Sequence, residues 1–215
     1  MKICVLGTGF AGRTVAPALA ALGHEVVVGT RDPDATRSRE DWAPPVAGLP
    51  LLDLASVAEG ADLVVNATNG LGSLAALGEV GAEGLAGKVL LDLANPLDFS
   101  AGFPPSLTVK DTDSLAEQIQ RAFPEARVVK ALNTVNASVM VDPSRVGDGG
   151  TTMFAASDDA EARAVVVGLL EQLGWRDVVE FDELSAARGM EMWLPMWVRL
   201  MGRLGTPDFN IALVR

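Results

Sequence analysis

The segment Lys2-Ile-Cys-Val-Leu-Gly-Thr-Gly-Phe-Ala-Gly12 decides the fold. Its apolar run, Ile3 to Leu6, breaks at Gly7, and Gly9 and Gly12 complete a G-x-G-x-x-G. Val15, Leu19 and Leu22 follow at helical spacing. Strand, tight turn and helix in this order form a dinucleotide-binding unit. Gly7 permits the turn, Gly9 lets the backbone approach a pyrophosphate, and Gly12 lets the helix pack closely on the strand. The diphosphate then sits over the helix N-terminus, where free N–H groups and the helix dipole favour negative charge. The same glycines also occur in ordinary βα turns. The apolar strand before them and a second strand, Glu25 to Gly29, supply the context that a nucleotide site needs.

Outward from this unit the pattern alternates. Further strands are expected at Leu63–Asn66, Val89–Leu93 and Arg127–Leu132, and helices at Phe10–Leu22, Asp53–Glu59, Gly72–Val80 and Ser114–Phe123. Continuous apolar strands joined by helices imply an α/β fold, a Rossmann doubly wound parallel sheet covered on both faces. Ser114 and Glu117 have the spacing of a capping box. Asp142 to Gly150 is rich in Pro, Gly and Asp and reads as a boundary. It divides a Rossmann domain, 1–145, from a small C-terminal α/β region, 146–215, that completes the substrate site. That region carries strands at Thr151–Ala155 and Asp177–Phe181, a helix at Ala160–Leu173 and a helical stretch from Asp182 to about Leu204.

The tip of the second strand chooses between cofactors. An NAD site carries an acidic residue there for the adenosine ribose. This chain has Thr30-Arg31, with Asp32 only afterwards. A threonine hydroxyl and a guanidinium suit the 2′-phosphate of NADP. Arg37 and Arg39 follow at the same corner, and Arg37 is expected to join the phosphate. The competing reading makes Arg31 a surface cation and gives an NAD ribose to Asp32 or Asp34. Ligands of an open α/β sheet bind beyond the C-terminal strand ends. Three such ends carry small polar residues: Asn66-Ala67-Thr68-Asn69, Asn95-Pro96 and Asn133-Thr134. Ala67, Thr68, Asn95 and Asn133 are the expected cofactor contacts there, with Asn95 and Asn133 positioning the reacting rings.

The net charge of −11 excludes a basic nucleic-acid footprint. The single cysteine, Cys4, is placed within the first strand as a packing residue, which fits a reducing, cytoplasmic setting. No signal peptide is expected before the first strand, and no stretch has the length of a membrane span. One His and one Cys make no ordinary zinc site, so no metal is expected. The only histidine, His24, ends the first helix, away from the expected site. Without an acid/base pair, direct hydride transfer between two redox rings is favoured. Met190, Trp193, Trp197 and Met201 form an apolar stripe at helical spacing. It reads as core or homodimer interface, or as a wall for a flat acceptor ring formed by Trp193 or Trp197. Pro195 is expected to kink that helix, and Arg188 and Glu191 to pair on its surface.

Several segments together resemble the NADPH-dependent coenzyme F420 reductases. They are Gly7–Gly12, Leu22–His24 and Val28–Arg31, then Glu125–Val135, then Asp182–Arg188 with Glu191, and Phe209–Arg215. The resemblance implies a small-molecule redox partner: NADP(H) across the sheet ends and the deazaflavin of F420 against the nicotinamide. It implies that Thr8, Gly9, Phe10, Ala11 and Gly12 hold the diphosphate. Thr30 with Arg31 would hold the 2′-phosphate, and Thr68, Asn95 and Asn133 would line the ring site. Archaeal members of that family carry His-Thr-Ile where this chain has Asn133-Thr134-Val135. The Asn-Thr form is similar to the NADPH-binding domain of the STEAP metalloreductases. Reduction of a flavin, quinone or other small acceptor, and NADP sensing without catalysis, are the alternative functions.

Overall fold

The computed structural model describes residues 1–215. In chain order the elements are β1 (Lys2–Leu6), α1 (Phe10–Ala21), β2 (Glu25–Thr30), α2 (Pro33–Arg37), β3 (Leu51–Asp53), β4 (Leu63–Asn66) and α3 (Gly70–Val80). There follow α4 (Ala82–Leu85), β5 (Val89–Asp92), the short strands β6 (Leu97–Asp98) and β7 (Ser106–Leu107), α5 (Leu115–Ala122) and β8 (Arg127–Ala131). The chain continues through α6 (Ala137–Val141), β9 (Thr152–Ala156), α7 (Ala160–Gln172), β10 (Asp177–Phe181), α8 (Ala187–Met192) and α9 (Leu194–Leu204).

Eight strands make one sheet in the order β10-β9-β8-β5-β4-β1-β2-β3. Every pair is parallel except β8 with β9, which runs antiparallel. The central strands are buried on both faces, and alternate residues of β1 serve opposite sides. Ile3 and Val5 pack with Val15 and Leu19 of α1, while Cys4 and Leu6 pack with Leu77 of α3 and Ile119 of α5. Burial pushes the Cys4 thiol up to about 12, so it stays a neutral packing group.

The expected boundary at Asp142–Gly150 forms two 3₁₀ turns, Pro143–Arg145 and Gly147–Gly149. The strands beyond it extend the same sheet rather than building another. Residues 54–59, expected to be helical, form turns after the short edge strand β3. There the Asp53 carboxylate accepts from the Ser56 N–H and hydroxyl, a local turn that competes with a helix. The C-terminal helical stretch divides at Trp193, and Pro195 stands in the first turn of α9, where its missing N–H costs nothing. No helix is long and apolar enough to cross a membrane.

Candidate active site

The chain runs outward from β1 in both directions across the sheet, to β2 on one side and β4 on the other. This reversal opens a crevice at the C-terminal strand ends. Gly7 closes the turn after β1 at φ +109°, and a Cβ there would lie 2.6 Å from the Ala67 carbonyl oxygen. A Cβ on Gly12 would lie 2.0 Å from the Gly7 oxygen, so only glycine lets α1 approach the turn this closely. A Cβ on Gly9 would meet nothing within 4 Å, because Gly9 borders the crevice. The first backbone bond of α1 is Arg13 N–H to the Gly9 oxygen, and the N–H groups of Gly9, Phe10, Ala11 and Gly12 have no acceptor in the protein. These free donors suit a diphosphate. Phe10 is exposed on the first turn of α1 and Ala11 packs against the core, so of these two only the backbone can serve an anion.

The crevice has a volume of about 330 Å³ and runs from Gly7 and Thr8 past Thr30 and Arg31 to Ala67 and Thr68. Its outer corner gathers Thr30, Arg31, Asp32, Thr36 and Arg39. Arg31 is exposed and pairs with no carboxylate. Asp32 caps α2 by accepting from the Ala35 N–H, so its carboxylate already has a structural partner. Arg37 is not brought to this corner. It bonds Asp34 one helical turn back and the Leu51 carbonyl of β3. Arg39 takes that place: it donates to the Thr8 hydroxyl and carbonyl at 2.9 and 3.0 Å while its other edge holds Asp41. Arg13 binds the same carboxylate at 3.0 Å, so two arginines and one aspartate fasten the glycine turn.

Two of the three polar strand ends bond each other directly. Asn95 donates to the Asn133 carbonyl at 2.9 Å, and Asn133 donates to Asn95 Oδ1 at 2.9 Å and to the Met190 carbonyl at 3.0 Å. Leu132, just before, has φ +63°, a left-handed conformation costly for a branched residue, and it turns the backbone at the end of β8. Asn133 Oδ1 and Thr134 Oγ1 are buried with no protein partner, which leaves hydrogen-bonding capacity unused at this end of the sheet. At the end of β4, Thr68 bonds Asn66, and Asn69 caps α3 through the Leu71 N–H.

Behind these ends lies a charge cluster that composition and spacing did not reveal. Lys130, fully buried on β8, contacts Asp92 Oδ2 at 2.7 Å, Glu191 Oε1 at 2.8 Å and the Ala94 carbonyl. Burial works against its ammonium, but the Asp92 and Glu191 carboxylates outweigh this and raise its pKa. Burial pushes the Glu191 carboxyl up against the pull of Lys130, and Glu191 also accepts the N–H groups of Leu115 and Ala116. The expected pairing of Arg188 with Glu191 is therefore absent. Glu191 turns inward to cap α5, and Arg188 reaches across to Glu117. Glu117 thus completes only half of the expected capping box. Ser114 accepts its N–H at 3.2 Å, and its carboxylate takes the Ser114 hydroxyl and Arg188. The readable signal was a lysine inside the otherwise apolar run Val128–Leu132, which demands buried counter-charge.

A second cavity, of about 260 Å³, begins at Thr134 and is walled by Phe154, Phe181, Met190, Trp193 and Ile211. None of its lining residues is ionisable. Trp193 belongs to this wall and donates to the Thr134 carbonyl at 3.2 Å, whereas Trp197 stacks on Phe209 with ring centres 5.2 Å apart. His24 stands just before β2, at the N-terminal end of the strands and away from the crevice, beside Met1 and Gln172.

Fold and crevice together define a dinucleotide-binding protein of the Rossmann class. Residues 2–96 match the family described as NADP oxidoreductase, coenzyme F420-dependent. The F420-dependent NADP reductase of Methanothermobacter marburgensis is 30% identical over 209 residues, which cover 93% of this chain and 92% of that protein. Metalloreductase STEAP3 of Rattus norvegicus is 28% identical over 200 residues, 91% of this chain but only 38% of that longer protein. A crystal structure from Arthrobacter sp. FB24, provisionally described as an F420-dependent NADP-reductase, is 57% identical with a TM-score of 0.97 over the full length of both chains. The chain belongs to this family of F420-dependent NADP oxidoreductases.

Proposed function

We propose that the protein exchanges a hydride between NADP(H) and coenzyme F420. The observation that carries this reading is an apolar cavity free of ionisable groups in a chain that also holds a crevice ending in a cation. A flat redox ring fits the cavity, and a phosphorylated dinucleotide fits the crevice. When bound, the nicotinamide supplies or accepts the hydride. The protein contributes placement. The first turn of α1 holds the diphosphate, and Thr30, Arg31 and Arg39 hold the 2′-phosphate. Asn95 and Asn133 lock each other just past the ends of β5 and β8, while Trp193 and Met190 exclude water from the acceptor side. Ring-to-ring transfer needs proximity and orientation more than a proton relay.

Mixing the purified protein with NADPH and F420, and separately with NADP and reduced F420, tests this by the absorbance of both partners. Exchange in both directions is expected. Inert F420 with turnover of free FMN or FAD would replace this proposal by reduction of another small acceptor. Within the proposal the protein works in the cytoplasm as a homodimer, with exposed Met192 and Met196, which lie off the Met190–Met201 stripe, as part of the face a second copy covers. Sedimentation velocity should give a species of twice the chain mass, and a monomer at micromolar concentration would remove that face.

A further inference from the structure

We infer that Thr68 meets a bound cofactor only as a hydrogen-bond acceptor, and that Asn66 and Asp92 are positioning residues that fix this polarity. The inference rests on the NADPH reading above. Asn66 is fully buried at the end of β4, and its amide is constrained from two sides. Asp92 Oδ1, part of a carboxylate that only accepts, lies 2.8 Å from Asn66 Nδ2. The Thr68 backbone N–H, which only donates, lies 3.3 Å from Asn66 Oδ1. These two neighbours allow one orientation of the amide.

The amide oxygen also lies 2.6 Å from Thr68 Oγ1, so the threonine hydroxyl spends its only proton there. Ser73 Oγ, 2.9 Å from Thr68 Oγ1, can then only donate to it, in competition with the Asn69 carbonyl at 3.2 Å, and never accepts from it. What Thr68 presents to the crevice it lines is lone-pair density. It therefore favours a ligand N–H or O–H, such as a carboxamide amine or a ribose hydroxyl, and disfavours an acceptor. The polarity originates at Lys130, which holds Asp92 through its other oxygen at 2.7 Å. Packing at position 66 would be met equally by leucine; only an amide passes the charge of Asp92 on as an oriented hydroxyl.

A double-mutant cycle on NADPH affinity tests this. D92N lets position 92 donate, which frees the Asn66 amide to turn over. N66L removes the amide and leaves the Lys130–Asp92 pair in place, so it serves if D92N folds poorly. Each change should raise the Kd for NADPH about five-fold, the loss of one neutral hydrogen bond. In a T68V background, where no hydroxyl remains to orient, the same changes should alter Kd less than two-fold. In a T68S background, which keeps the hydroxyl, the full effect should return. Equal losses with and without the Thr68 hydroxyl would overturn the inference. A wild-type protein that binds NADPH no more tightly than NADH would instead overturn the NADP reading beneath it.

Discussion

K130M should lower the stability of the folded protein by about 3–5 kcal/mol in urea unfolding, because it strands two carboxylates that share one buried cation. Asp92 and Glu191 each lie within 2.8 Å of the Lys130 ammonium, and neither is more than 1% exposed. Methionine fills the space but returns none of the charge. The loss should depend on pH. The Glu191 carboxyl is already pushed up by burial and, without Lys130, moves up further. The folded variant then keeps a proton that the unfolded chain has released, so its stability falls as pH rises and partly recovers toward about pH 4.5. A wild-type-like midpoint for K130M at pH 8 would mean that the cluster does not hold the fold. The triple change K130M/D92N/E191Q removes all three charges and should recover much of the loss.

Arg31→Asp should weaken NADPH about 100-fold while changing NADH by less than about three-fold, measured as Kd by fluorescence titration. A charge-assisted bond to a phosphate contributes about 1.5–3 kcal/mol, and the new carboxylate adds repulsion. Arg31 lines the outer corner with no carboxylate of its own to distract it, so the full contribution is available to a ligand. NADH lacks the 2′-phosphate and has little to lose. Equal weakening of both cofactors would move the phosphate elsewhere, with Arg39 the next cation at that corner.

The contrast between Arg31, Arg37 and Arg39 also marks how far the sequence could be read. Strands of four to six apolar residues and a glycine turn are local signals, and they placed β1, β2, β4, β5, β8 and the crevice correctly. Arg31 follows directly from the end of β2, so its position was fixed by register. Arg37 ends α2 and Arg39 lies two residues past it, so the point where the helix stops decides which of them reaches the glycine turn. One partner of Arg37 was legible as an i, i+3 pair with Asp34, but its bond to the Leu51 carbonyl requires β3, a three-residue edge strand after Pro50 with no pattern to announce it. The reversal at β9 was also hidden, since an apolar strand reads alike in either direction. Lys130 was visible as an anomaly, but its partners lie 38 and 61 residues away in the chain, beyond any local rule.

The fastening of the glycine turn by Arg13 and Arg39 has a kinetic consequence. The protein as a whole carries a charge of −11 and repels an anionic dinucleotide at a distance. Arg13 and Arg39 are held by Asp41, and Arg37 by Asp34, so Arg31 is the one guanidinium near that turn without a carboxylate partner. A polyphosphate therefore meets a net-repelling molecule whose attraction is confined to Arg31 and the free N–H groups at the start of α1. Added salt damps the long-range repulsion and the short-range guidance together. Encounter rates with the dinucleotide thus respond to ionic strength less steeply than the net charge alone would suggest.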